Sequence, residues 1–190
     1  MDSVIAALLA DRREHDLDRW HSRRTIQPRE ALMTHEGSVA RIGMIICLAL
    51  RHYKIADPDI ETVLAGALTH DASEVITGDL PGGFLKTKHP AFKAALEEIE
   101  REAEDEIYHD LPEPIHHYLK AAACKKGDGT LEGEIISYAD TLDAFNHASA
   151  ETMLGNVMNE PGDPLQTTAD ALRRKRYPWL MKLRSAAGIP

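Results

Sequence analysis

An all-α bundle forming a single domain is the architecture this sequence predicts, on three observations. Apolar residues recur at spacings of three and four along the whole chain. No stretch of clean two-residue alternation lies between turn signals, so strands find no support. At 190 residues the chain is long enough to bury one substantial core without repeats or disulfides.

The elements follow in order. A first helix is expected over residues 3 to 14 (SVIAALLADRRE), with Ser3 as its N-cap, and a polar segment holding Arg19, Trp20 and Pro28 comes after it. The second, over 34 to 53, contains GMIICLAL and is apolar nearly all round, which marks it as the central buried element. Asp57-Pro58 supplies a cap and a proline at the first helical position, opening a third helix that runs to about residue 76. Gly78, Pro81, Gly82 and Gly83 end it. From Pro90 an amphipathic helix places Phe92, Leu96, Ile99, Ala103 and Ile107 on one stripe and acids elsewhere. Further helices are expected at 113 to 124, 131 to 155 and 164 to 185.

Charge and composition narrow the function. Twenty-two Lys and Arg stand against 31 Asp and Glu, a net charge of −9. That balance argues against a binder of nucleic-acid polymers or anionic membranes, which needs a basic face. The N-terminus lacks the basic start and cleavage pattern of a secretory signal, and no run approaches the roughly twenty apolar residues that span a bilayer. Cys47 and Cys124 fall inside apolar helical patterns and read as reduced core residues, which suits a cytoplasm-like compartment.

Chemistry concentrates in THDASEVITGDLP, residues 69 to 81. The dipeptide His-Asp decides nothing by itself: about one is expected by chance in this composition, and the chain has three. His15-Asp16 and His109-Asp110 fall at helix ends and read as surface pairs. Only His70-Asp71 follows a strongly apolar stretch, VLAGAL, that should carry it inside, where charges are paired or metal-bound. Helical spacing then puts Glu74 on an adjoining part of the same face. Two other helices offer partners, since His35 opens the buried second helix and Asp140 interrupts the apolar IISYADTLDAF. Taken alone, each of these two reads equally well as a hydrogen-bonded helix-end residue. Two imidazoles and two carboxylates form a borderline donor set suited to Mn, Fe, Co, Ni or Zn, and less to Ca or Mg.

The ordered set His35, His70-Asp71 and Asp140 resembles the H…HD…D signature of the HD superfamily of metal-dependent phosphohydrolases. THDASEVITGDLP is similar almost residue for residue to the corresponding stretch of the HD-domain 5'-deoxynucleotidases. Arg19-Trp20 and YADTLDAF fall in the expected order, so the likeness runs from about residue 19 to 146. Phage dATP triphosphohydrolases use the same small helical fold and are similar in outline. The chain departs from the family where Thr34 precedes the first histidine, a place usually held by an acid, and in GGFLKTKHP after GDLP.

The resemblance implies one divalent transition metal on His35, His70, Asp71 and Asp140, with Glu74 orienting or deprotonating water. Asp79 is the second acid/base candidate, although it also suits a cap on the turn before Pro81. Arg19 is the best phosphate donor, with Lys86 and Lys88 as weaker ones, since a guanidinium grips two oxygens at once. Trp20 against sugar or base, and Ile26 as a further wall, complete the expected pocket for a deoxyribonucleotide. The implied reaction is hydrolysis of a deoxynucleoside 5'-monophosphate by a homodimer or larger homo-oligomer. A dNTP triphosphohydrolase and a catalytically silent helical binding module are the alternatives.

Overall fold

The computed structural model describes residues 19, 25–27, 30–78, 89–156 and 164–189. The expected helix over 3 to 14, Trp20, Asp79, Lys86 and Lys88 lie outside the described residues.

Among the described residues the regular elements are helices: α1 Leu32–His52, α2 Ile60–Thr69, α3 Glu74–Thr77, α4 Pro90–Tyr108, α5 Glu113–Ala123, α6 Leu131–Met153, α7 Pro164–Arg174 and α8 Pro178–Ala186. The all-α class therefore holds. Proline begins α4, α7 and α8 and lies within the first two positions of α5, where its missing N–H costs no intrahelical bond.

Three expected boundaries shift, each for a local reason. The cap of α2 is Asp59, not Asp57: its carboxylate accepts from the Glu61 amide, while Asp57 pairs with Arg51. The helix expected to run on to residue 76 stops at Thr69, and bonds from Ala72 N to Thr69 O and from Glu74 N to Asp71 O carry the chain through tight turns into α3. The last expected helix is two, because the backbone reaches Tyr177 extended and Pro178 starts α8 afresh.

Helix α1 is the central element, in contact with α2, α6 and α8. It is long and apolar enough, by length and composition alone, to cross a membrane, contrary to the sequence expectation. In this fold it forms the core, with Ile46, Cys47 and Leu50 packed on Val63 of α2, Ile135 and Ile136 of α6 and Trp179 of α8. Cys124 is a second correction: Cys47 is a free core thiol, but Cys124 caps the end of α5 and is exposed. On α4 the buried stripe is Leu96, Ala103, Glu104 and Tyr108, and Ile99 faces out, half exposed.

A second cluster positions the chemistry. Val39 and Ala40 of α1, Ala67 of α2 and Ala139 of α6 meet in the interior. Three of these four are alanines, so the three helices approach closely there. His35 lies one turn before Val39, His70 three residues after Ala67, and Asp140 next to Ala139. Small side chains in the core thus bring those three residues to one point.

Candidate functional site

His35, His70 and Asp71 are buried, and their donor atoms form a group compact enough to hold a metal ion. The Nε2 atoms of His35 and His70 are 3.3 Å apart. Oδ2 of Asp71 lies 3.6 Å from the first and 3.2 Å from the second. Oδ1 of Asp140 lies 3.3 and 3.8 Å from the same two nitrogens. Ligand atoms bound at about 2.0–2.2 Å to one ion sit roughly 3–3.5 Å from one another, so the donor set fits a transition metal in both type and spacing.

Each histidine is aimed by the other face of its ring. Nδ1 of His35 donates to Oδ2 of Asp143 at 2.7 Å, and Nδ1 of His70 donates to the carbonyl of Ala67 at 2.9 Å. A carboxylate and a carbonyl can only accept, so each ring keeps a proton on Nδ1, and Nε2, which faces the aspartates, is the nitrogen left to bind a metal in place of a proton. Asp143 is one turn beyond Asp140 on α6, and sequence reasoning passed over it. It answers the question raised by Thr34: the acid behind His35 comes from α6, not from the preceding position. The i, i+3 spacing of Asp140 and Asp143 was the available signal.

Lys126 was also missed. Its ammonium lies 2.8 Å from Oδ2 of Asp140 and 3.4 Å from Oδ1 of Asp71. Burial works against its charge, but Asp140 and Asp71 outweigh that and raise its pKa. In turn, although burial alone would raise them, His70 and Lys126 hold Asp71, and Lys126 and His35 hold Asp140, well below the usual carboxylate range. Burial pushes His70 down, yet the Asp71 carboxylate prevails and lifts it to about 9. No sequence pattern tied Lys126 to residues 14 and 55 positions away.

A wing leads from this cluster toward the N-terminal segment. Glu30 belongs to a second compact group with His35 and Asp143. Burial, then the charge of Asp143, raises the Glu30 pKa. The Arg19 amide donates to the Glu30 carbonyl at 2.8 Å, and the Arg19 charge is felt at both Glu30 and Lys126. Ile26 is 55% exposed, and its amide and that of Gln27 each donate at 2.8 Å to the buried carboxylate of Glu151 on α6. Arg19 thus falls within electrostatic reach of the cluster, while Ile26 is seen as an exposed residue on an anchored loop.

Glu74 opens α3, half buried, with its amide donating to the Asp71 carbonyl at 2.8 Å. Its nearness to the cluster comes from tight turns and not, as the spacing suggested, from one continuous helix. Gly78 ends α3 at φ +73°, with its amide on the Glu74 carbonyl. The pair His109-Asp110 is exposed, as the sequence reading held.

An all-α fold in which α1, α2 and α6 deliver H…HD…D to one point defines an HD-domain protein. The family model described as 5'-deoxynucleotidase YfbR-like matches residues 11–178, and the chain belongs to that family. It is 26% identical over 140 residues to a 5'-deoxynucleotidase of Yersinia pestis (strain Pestoides F), an alignment covering 74% of this chain and 70% of that one. A 5'-deoxynucleotidase of Yersinia pseudotuberculosis serotype O:3 (strain YPIII) matches with the same identity and coverage. Among solved structures, an HD-domain phosphohydrolase from Listeria innocua superposes with a TM-score of 0.81 at 19% identity, covering 96% of this chain and 85% of that one. The PH0347 protein from Pyrococcus horikoshii OT3 gives 0.70 at 19% identity, over 98% and 99% of the two chains. At such identities the structural likeness speaks for the fold.

Proposed function

We propose that this protein hydrolyses the 5' phosphoester of deoxynucleoside 5'-monophosphates, giving deoxynucleoside and phosphate. The observation that carries the reading is the convergence of two imidazole Nε2 atoms on one oxygen each of Asp71 and Asp140, at 3.2 to 3.8 Å. Membership of the YfbR-like family supports the reaction and the substrate class.

His35, His70, Asp71 and Asp140 would hold one divalent transition metal, with Co, Mn, Zn, Ni and Fe all compatible with the donors. Bound there, the ion supplies Lewis-acid activation of water and of a phosphate oxygen. The remaining steps belong to side chains. Glu74 takes the proton of the attacking water, placed one turn past Asp71 and outside the four-residue set. Arg19 grips the phosphate with its planar guanidinium, and its charge offsets that developing on the phosphoryl oxygens. Asp79 serves as a second acid/base, Trp20 packs against sugar or base, Ile26 is a further wall of the base pocket, and Lys86 and Lys88 are weaker donors to the phosphate. The working unit is a homodimer or larger assembly in the cytoplasm, built on a single HD-type domain spanning residues 1–190.

Phosphate release from dAMP, AMP and dATP tests the reading. Chelator-sensitive release of phosphate from dAMP well above that from AMP is expected. Inorganic triphosphate from dATP as the main product would overturn the monophosphate assignment in favour of a triphosphohydrolase, and no release from any of them would favour a silent module.

A further inference from the structure

The four oxygens of Asp71 and Asp140 are divided between two tasks. Oδ2 of Asp71 and Oδ1 of Asp140 face the imidazoles, at 3.2 to 3.8 Å. Oδ1 of Asp71 and Oδ2 of Asp140 face one ammonium, that of Lys126, at 3.4 and 2.8 Å. A carboxylate with no second partner is free to rotate and offer both oxygens to one cation. Here a single point charge with three donors occupies the outer oxygen of both.

The loop that carries Lys126 is built for the purpose. It joins α5 to α6 through KKGDGT, and Gly127 and Gly129 take φ of +80° and +84°, which other residues rarely adopt. Lys125 pairs with Asp128 at 2.9 Å, and Asp128 accepts from both the amide and the hydroxyl of Thr130, the N-cap of α6. A β-carbon on Gly133 would collide with the Asp128 carboxylate and the Lys125 carbonyl, so the loop lies directly on the first turn of α6. On the opposite side, a β-carbon on Gly66 of α2 would come within 3.2 Å of the Lys125 Cβ and the Ala122 carbonyl. The backbone next to Lys126 is therefore clamped between the helix that leads into Asp71 and the helix that bears Asp140. The Lys126 side chain keeps 30% of its surface exposed, against 11% for Asp71 and 18% for Asp140, so it caps the pair from the solvent side.

We infer that Lys126 is a positioning residue, which ties down the outer oxygens of Asp71 and Asp140 so that each presents one oxygen to the ion and leaves room for water and phosphate. The inference rests on the metal-dependent reading above. It predicts a separation of binding from turnover. Without Lys126 the two carboxylates lose a neutralising charge and gain rotational freedom, so a cation is still held, but the second oxygens occupy the positions needed for the reaction.

The test compares Lys126→Met, Lys126→Gln and Lys126→Arg with the wild type after each metal-stripped protein is reloaded with Co²⁺. Lys126→Met and Lys126→Gln are expected to bind one equivalent of Co²⁺, to show a visible absorption spectrum changed in shape and intensity, and to lose about 10- to 100-fold in kcat with KM nearly constant. Lys126→Arg, which keeps the charge and can fork to both oxygens, should hold the wild-type spectrum and recover most of kcat. Lys126→Gln retains a donor and decides the matter if Lys126→Met does not fold. A wild-type spectrum and kcat in Lys126→Gln would overturn the inference, as would loss of Co²⁺ binding from a folded Lys126→Gln. The spectra keep this outcome distinct from failure of the nucleotidase reading, because a changed spectrum in protein inactive on dAMP would leave the positioning role standing and refute only the substrate.

Discussion

His35 donates from Nδ1 to Oδ2 of Asp143 at 2.7 Å, with its side chain wholly buried and that of Asp143 only 12% exposed. An acid from α6 thus sets the tautomer of a histidine on α1. Asp143→Asn should weaken divalent-metal binding by about 10- to 100-fold, because the carboxamide can offer its N–H to Nδ1 and favour the wrong tautomer. Competition titration with a chromophoric chelator checks this. Affinity equal to that of the wild type would remove Asp143 from the account.

Glu74 stands outside the four converging residues. Glu74→Ala should retain one equivalent of metal and lose turnover by about 10²- to 10⁴-fold, the range for removing a general base. Metal analysis beside single-turnover phosphate release separates the two effects. A metal-free Glu74→Ala protein would move Glu74 into the ligand set.

Asp71 is placed to do two jobs, facing the imidazoles with one oxygen and Lys126 with the other. Asp71→Ala should abolish stoichiometric metal binding. It should also destabilise the metal-free protein by roughly 3–5 kcal/mol, since His70 and Lys126 lose a buried counter-charge. Denaturant unfolding measures the second effect, and unchanged stability would mean that Asp140 alone can balance Lys126.

How much of this was legible beforehand depended on whether the signal was local. The apolar pattern of GMIICLAL marked α1 as central, and VLAGAL followed by His-Asp marked His70-Asp71 as buried, because periodicity records which face a helix turns inward. Asp140 stood out as a carboxylate in an apolar run. Lys126 was invisible because it acts across gaps in sequence that only the packing of α2, α5 and α6 closes, while Asp143 was signalled only by its spacing from Asp140 and its partner His35 is brought to it by the packing of α1 on α6. The break after Thr69 was also hidden, since alanine, serine and valine there suit a continuing helix as well as a turn. The position of Cys124 was misread for a similar reason: Ala121 to Ala123 look like core, but the helix ends on its exposed side.

Glu151 supplies a test of how the N-terminal segment is held. Burial would raise its pKa, but bonds donated by Asn156 and by the Ile26 and Gln27 amides hold it down at about 2. A carboxylate depressed on folding contributes stability that is fully present above its unfolded value, near 4.5, and is lost as pH falls toward 2. Wild-type stability should therefore drop between pH 4.5 and 2 with a share that Glu151→Gln lacks. Equal acid limbs for the two proteins, followed by thermal unfolding across that range, would show that the carboxylate does not anchor the loop.

Titration of metal-stripped wild-type protein with Co²⁺, with phosphate release from dAMP followed at each addition, tests the central claim most directly. The account predicts activity that rises linearly, reaches its plateau at one equivalent per chain and disappears with excess chelator. Phosphate release that is independent of Co²⁺, or that never appears at any loading, would contradict it.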